Sequence, residues 1–459
     1  MPTLNEALAS DVRLHSAGGS LASIVAGLPF GSKIALENAT FVVSGDLTLP
    51  GGLTITSDDA VIEVVGGTLN LNNAQINAPE GPLFKLTGGA ITGTLANGRV
   101  YVDWFVFDKT NHAQCWAGTR AAIRASRGLE GNGPQAIVEW NRGKYYYDAD
   151  SPLHYVDAAV LVGIQFVGKG PHATRLYMRS RTDSDRYFWR NPGTAYSAQN
   201  IRIQGMKFML DPASEFPLRV HGFRPSADFA WTFDDVHIST SGWCWHSEAT
   251  ALGSEVRFLN SRIEARSLGG FYHNNQQATN FVFMNTEVEV VDCFFVVANN
   301  GGFMEWTNGS VAIQGTSANA GILHLTSANA FDAGNRKFAM TNVNIEAYNP
   351  AAVLTKHDTS MAGNTLEFIA TRCKFFPIYG TRRAMIVAAG RGTTFKFRDC
   401  IGAEGFMIDT YITAGSPALG VRIESHAHYP SDILSSGAVN WATSDANGVR
   451  EPSKLAWQP

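Results

Sequence analysis

One polar residue recurs in a fixed register through the second half of the chain, and this recurrence constrains the fold more than any other feature. In the segments FDDVHIS, FLNSRIEA, FMNTEVEV, WTNGSVAI and MTNVNIEA it is Asp235, Asn260, Asn285, Asn308 and Asn342, at spacings of 25, 25, 23 and 34. Two residues before each stands a large apolar side chain: Phe233, Phe258, Phe283, Trp306 and Met340. Three residues after each stands a β-branched one: Ile238, Ile263, Val288, Val311 and Ile345. Gly205, with Ile203 and Phe208, fits one repeat earlier, and Asp399 with Phe397 fits in part later. A repeat of about 25 residues carrying two or three short strands is too short for a βαβ unit and lacks the helical period of helix-pair repeats; propeller blades need about 40 residues. The pattern predicts an all-β parallel solenoid. Each repeat makes one coil, equivalent strands stack ~4.8 Å apart, and inward apolar residues form ladders. The Asn/Asp position is then a turn ladder, since Asn tolerates the left-handed backbone and can hydrogen-bond within its own stack.

Upstream, residues 1–100 alternate short apolar runs with Gly, Asn and Asp, as in KIALENATFVVSGDLTL, and read as a β-rich region of stacked strands or hairpins. CWAGTRAAIRASRGL is the clearest helix candidate, placed near 117–127, with Ala117, Ala121, Ala122 and Ala125 on one face and Gly128 to end it. The chain from 415 to 459, with Pro417, Pro430 and Pro452, reads as a terminal cap or subunit-contact tail.

Composition narrows the function classes. Only 17% of residues are charged and the net charge is −4, so the basic footprint of a nucleic-acid binder is missing, as is any polybasic membrane patch. No apolar run is long enough to span a bilayer and the first thirty residues lack a signal-peptide pattern, which predicts a soluble product made in a cytoplasm, with no membrane insertion. The five cysteines include no CxxC pair or zinc-finger spacing, so buried free thiols are expected and no structural metal is indicated. GKGPHAT lacks the context of a nucleotide loop and reads as a turn, so no cofactor is expected.

The stretch from Arg99 to Met178 resembles the opening of the pectate-lyase-like, right-handed parallel β-helix of bacteriophage tailspikes and polysaccharide depolymerases. The matching elements are a V-D-x-F/W strand at Val102 to Phe105, a capping helix over Ala117 to Ala125, a Gly-Tyr strand at Gly143 to Tyr147, and a G-x-G-x-x-x-T turn at Gly168, Gly170 and Thr174. The acidic pair usual before the helix is absent, with Asn111, His112 and Gln114 in that stretch. The resemblance places the β-helix over 101–414. It implies a virion protein of the phage tail acting on a bacterial surface polysaccharide outside the cell, with homotrimeric assembly and tail or baseplate attachment.

The repeat also predicts which side chains share an outer face. With the β-branched position inward, its neighbours point outward and form two columns: His237, Arg262, Glu287, Ser310, Asn344, and Ser239, Glu264, Glu289, Ala312, Glu346. Glu264 and Glu289 are the expected acid and partner carboxylate of a glycosidase, with Glu287 as substitute and Arg262 tuning their charge. One strand spacing is close to the ~5–5.5 Å carboxyl separation of a retaining enzyme, diagonal or two-coil pairs approach the ~6.5–9.5 Å of an inverting one, and crowded like charges should raise one carboxyl pKa. The competing reading is a solvated strand face. His237, Trp243, Trp245 and His273, with Arg262, are the candidate sugar-binding groups, aromatic faces over polar edges being suited to sugar rings. Glu248 and His246 end the same segment as the two tryptophans, and Asp234, Asp292 and Glu305 are reserve acids. The polygalacturonase-type NTD, DD and RIK motifs do not occur as a set. Three functions compete: endo-hydrolysis by a carboxylate pair; β-elimination on a uronic-acid polymer with His237, His273 or Tyr272 as base and Arg262 neutralising the uronate; and a non-catalytic polysaccharide-binding spike.

Overall fold

A computed structural model describes residues 12–126, 136–148, 161–190, 198–224, 228–247, 254–274, 280–298, 302–315, 319–326, 336–348, 353–357, 366–377, 383–384, 386–387, 394–400, 406–407, 421–426, 439–444 and 450–451. The architecture is all-β with long parallel sheets, the pattern of a solenoid. The chain divides into two compact units, residues 1–178 with 197–207, and residues 179–196 with 208–459. Among the described residues no helix is long and apolar enough to cross a membrane.

In the first unit, strand pairing over residues 12–92 is parallel throughout, which selects stacked strands over hairpins. Ile34, Ile55 and Ile76 are in register, as are Phe41, Ile62 and Phe84, and Leu47, Leu69 and Ile91. These rows define a repeat of 21 or 22 residues that sequence reading did not isolate, although its left-handed turns recur in step, at Asn38 and Asp59 and at Gly31, Gly52 and Asn73. The helix spans His112–Ala125, beginning before the expected 117, since the Asn111 side chain accepts the Gln114 N–H as an N-cap. It ends against Ser126; Gly128 lies outside the described residues. The family-like motifs that follow are structural. Asp103 is buried, accepts the Tyr145 hydroxyl at 2.5 Å and the Asn141 N–H at 3.1 Å, and pairs with Lys109. Thr174 accepts from Lys169 N and donates to Asn141 O, tying the glycine-containing turn.

In the second unit, one sheet runs through Asp228–Thr240, Ser254–Leu259 with Arg262–Ala265, Phe281–Val290, Phe303–Ile313, Arg336–Ala347, and Leu366–Thr371 with Lys374–Pro377. Phe233, Phe258 and Phe283 stack in parallel planes at 4.5 and 5.3 Å, and Trp306 and Met340 continue the buried row. Ile238, Ile263, Val288, Val311 and Ile345 form the second buried row. Asp235, Asn260, Asn285, Asn308 and Asn342 all hold left-handed backbone, with φ between 49° and 57°. The side-chain amides of Asn285, Asn308 and Asn342 each donate to the Asn below at 3.0, 3.2 and 2.8 Å, while Asn260 donates to Asp234 rather than Asp235. Arg372 and Asp399 continue the left-handed row, so a repeat escaped the sequence search where arginine replaces asparagine. Parallel pairing continues past 414, into Val421–His426 and Val439–Ser444, before an antiparallel end at Arg450–Glu451. All five cysteines are buried free thiols.

A second sheet in this unit stacks Arg186–Arg190, Val220–Arg224, Trp245–His246, Phe271–His273, Cys293–Val297, Gly321–Leu325 and Val353–His357. Its inward row, Phe223, Trp245, Phe271 and Phe295, meets the first sheet's phenylalanines edge to face, with Phe223 and Phe233 at 4.8 Å and Phe258 and Phe271 at 5.4 Å.

Asn285→Ala loses both ladder bonds and the residue type that tolerates φ near +49°, and should cost about 1–2 kcal/mol in urea unfolding. Asn285→Gly, which keeps the backbone free, should cost clearly less. Equal losses would mean that the left-handed turn is not what the asparagine supports.

Candidate functional site

The parallel register sets His237, Arg262 and Glu287 side by side, and Ser239, Glu264 and Glu289 beside them. Arg262 sits among three carboxylates: its Nε is 2.8 Å from Glu264 Oε1, one terminal nitrogen 3.4 Å from Glu289 Oε2, and the other 3.8 Å from Glu287 Oε2. Glu264 also faces His237 Nε2 at 3.1 Å and Arg266 at 3.4 Å. The expected like-charge effect is reversed at Glu264. The hydrogen bond with His237 outweighs the opposing effect of burial and, with Ser239 and Arg262, holds this carboxyl far below the usual carboxylate range. Glu264 therefore stays ionised and cannot serve as the proton donor of the pair. Its side chain is 12% exposed, whereas those of Glu289 and Glu287 are 39% and 63% exposed.

The aromatic candidates divide. Trp245 and His273 do not reach the surface: Trp245 is a rung of the inward row and His273 lies edge-on to Phe281 at 5.6 Å. The physical reason is parity. These short strands are apolar at both parities, and the inward set is the one that meets Phe233 and Phe258. Trp243 stays half-buried on the turn between the sheets, its ring 5.4 Å from Tyr272 and inclined at 46°. It rests on Gly269, where a Cβ would stand 2.2 Å from the indole. Asp234 belongs to the asparagine ladder, Glu305 pairs with Lys337 at 3.6 Å, and Asp292 is half-buried. Glu248 lies outside the described residues.

Sequence reading missed a second cluster, on the second sheet. Tyr187 and His221 are register partners, stacked at 5.1 Å, and the Tyr187 hydroxyl lies 2.7 Å from His246 Nδ1. Asp185 Oδ1 faces His221 Nε2 at 3.3 Å, and Arg219 reaches Asp183 at 2.7 Å and Asp185 at 3.2 Å. Burial works against the ionisation of Asp185, but His221 and Arg219 hold it below its ordinary value. Asp185, His221 and His246 bring their ligand atoms within 4.8 Å of one another, a spacing that a metal ion could bridge. The tautomer argues against that use. The Trp243 N–H donates to His221 Nδ1 at 2.9 Å, so neutral His221 carries its proton on Nε2, the nitrogen facing Asp185. The ring is seated there because position 242 is glycine: a Cβ would stand 2.3 Å from Nδ1. The cluster is two polar contacts, Tyr187 with His246 and His221 with Asp185, joined by the stacked rings of Tyr187 and His221. The signal that could have revealed it is the 34-residue offset between RYFWR and VHGFR, which aligns Tyr187 with His221 and Arg190 with Arg224.

No family model matches the chain, and no curated protein matches it. Among solved structures it is similar to the Agl-KA catalytic domain, at 10% identity and a TM-score of 0.44, over 75% of this chain and 68% of that one. It is also similar to ORF18 of Geobacillus virus E2, at 10% identity and a TM-score of 0.37, over 76% of this chain and 61% of that one. Likenesses this distant do not bear on activity.

Burial and the neighbouring His221 lower the His246 pKa to about 4, and burial lowers that of His221 as well. Histidines that are neutral when folded and protonated when unfolded stabilise the fold above about pH 6.5, and that contribution fades as the pH falls toward 4. Glu264, depressed in the folded state, adds a further loss below the ordinary glutamate range. Thermal melts should therefore fall between pH 6.5 and 4, with a shallower fall in His246→Gln. Superimposable profiles would show that His246 is not the group titrating there.

Proposed function

We propose that this chain is a bacteriophage tailspike-type depolymerase, a right-handed parallel β-helix that assembles as a homotrimer on the virion tail and cleaves a bacterial surface polysaccharide internally by hydrolysis. The supporting observation is the unequal carboxylate pair on adjacent strands: Glu264 held ionised, and Glu289 beside it in register, more exposed and tethered to the same guanidinium. In this reading Glu289 protonates the leaving glycosidic oxygen, and Glu264 supplies negative charge to the oxocarbenium-like carbon as nucleophile or stabiliser. Arg262, half-exposed, swings off Glu289 as the sugar enters; Glu287 is the substitute donor. The one-strand rise of ~4.8 Å suits a retaining displacement. Right-handedness accords with the general chirality of parallel crossovers.

A second reading, a polysaccharide-binding spike without catalysis, is favoured by the number of partners on Glu264: two arginines, His237 and Ser239. A carboxylate so fully paired is also what a structural ion network requires.

Sizing of capsule, O-antigen and exopolysaccharide panels after incubation separates the two. Glu289→Gln should lower the depolymerisation rate by about two orders of magnitude or more, with binding and melting temperature nearly unchanged. Glu264→Gln should lower the rate comparably and the stability as well, because it leaves Arg262, Arg266 and His237 without their shared anion. Binding without shortening of any polymer would favour the spike, and an unsaturated, ultraviolet-absorbing product would establish elimination instead.

A further inference from the structure

The residue that follows each left-handed turn of the second unit forms a row of its own. In successive coils it is Val236, Ser261, Thr286, Gly309, Val343, Cys373 and Cys400, and all but the glycine are buried. The polar members cap backbone carbonyls. Ser261 Oγ donates to Leu259 O at 2.7 Å, and Thr286 Oγ1 donates to Met284 O at 3.1 Å and to Phe258 O, one coil below, at 3.2 Å. The two cysteines repeat this arrangement. Cys373 Sγ lies 3.5 Å from Thr371 O and 3.7 Å from Met340 O, and Cys400 Sγ lies 3.5 Å from Arg398 O and 3.4 Å from Ala370 O. A thiol is a weak donor, and hydroxyls do the same capping at 261 and 286, so two successive sulfurs bring a chemistry that capping does not use.

Strand register fixes how these sulfurs meet. Thr371 and Arg398 are partners, as are Met340 and Ala370, so the thiols hang from equivalent points on adjacent coils and point the same way. Equivalent atoms on neighbouring strands are ~4.8 Å apart. The thiols also interact with each other, which lowers the pKa of Cys400 from its ordinary value. A disulfide would have to draw the sulfurs together to about 2.05 Å. Two thiolate–metal bonds of about 2.3 Å, end to end, span about 4.6 Å and need almost no movement of the backbone.

We propose that Cys373 and Cys400 form a two-coordinate site for a soft monovalent cation of the copper(I) class, held between the sulfurs along the stacking direction. Thiolates select such an ion, whereas a structural zinc takes four ligands. Among the described residues no third His, Cys, Asp or Glu brings a ligand atom to the pair. Loading breaks two S–H bonds, forms two S–Cu bonds and releases two protons to solvent, with copper remaining in the +1 state. The bridge lies where the turn row changes character. Asn342 donates to Asn308, but Arg372 and Asp399 occupy the next two left-handed turns, so the amide-to-amide bonds stop. An ion between Cys373 and Cys400 ties adjacent coils there as the amides do lower in the stack.

The test is anaerobic titration of the reduced full chain with Cu(I), followed by competition with a chromophoric Cu(I) chelator. One equivalent should resist the chelator, copper absorption spectroscopy should report two sulfur neighbours, and loading should raise the melting temperature. Cys373→Ser and Cys400→Ser, which keep a capping donor of the kind at Ser261, should each weaken retention by about a hundredfold or more and abolish the rise. Cys373→Val and Cys400→Thr, which borrow the side chains found at 343 and 286 of the same row, replace any serine variant that does not fold. Cys293→Ser, at a thiol outside the pair, should retain the ion as the wild type does. Failure of the wild type to hold Cu(I), retention unchanged in the Cys373 and Cys400 variants, or spontaneous closure of the metal-free pair to a disulfide, lighter by two hydrogens, would overturn the assignment.

Discussion

Equivalent side chains stacking in register, strand over parallel strand, is the constraint on which the second unit depends. Phe233, Phe258 and Phe283 lie nearly parallel, face to face, and are buried, with Trp245 and Phe271 meeting them from the facing sheet. Each aromatic contact adds about 0.5–1.5 kcal/mol beyond area burial, and each is available only if neighbouring strands are aligned. A slip of one residue would turn the aromatic row outward and the carboxylates inward. The asparagine row holds the same register by a different means: it accepts a left-handed turn at every repeat and stitches successive turns with amide hydrogen bonds.

A fold that aligns equivalent residues also aligns equivalent charges. Glu264 and Glu289 are forced together, as are Arg262 and Glu287, so the surface needs counter-charges in the same columns. Arg262 meets that need for three carboxylates at once, and His237 and Arg266 complete the shell around Glu264. Two glutamates in equivalent positions thereby acquire different surroundings, one enclosed and held ionised, the other more open. Such a difference is what acid–base chemistry requires of a carboxylate pair.

At the turn joining the two sheets the regular pattern breaks, and the polar cluster is found there. Glycine at 242 and 269 admits an imidazole and an indole against the backbone, and the Trp243 amide hydrogen selects the tautomer of His221. Burying two histidines, a tyrosine hydroxyl and part of a carboxylate is costly unless each is paired, and the contacts among Tyr187, His246, His221 and Asp185 supply that pairing.

The 25-residue spacing was enough to align Glu264 with Glu289 and Arg262 with Glu287, because period-two alternation along a strand and one-repeat stacking between strands are both readable from a single chain. The asparagine positions were equally legible, since a recurring Asn at a turn has one ready conformational explanation. Trp245 and His273 were misjudged for want of a polar residue to mark parity in their short strands, and only packing against Phe233 and Phe281 decided it. The repeat at Arg372 was hidden because the left-handed position does not require asparagine once the neighbouring strands enforce it, whereas the 21–22-residue repeat of the first unit carries Asn38 and Asp59 at its own left-handed turn. The ionised state of Glu264 was beyond sequence reading, because charge state depends on partners contributed by different strands. The 34-residue offset aligns Tyr187 with His221, but only the tertiary structure brings Asp185 and His246 to them, since the intervals joining those strands are unequal in length.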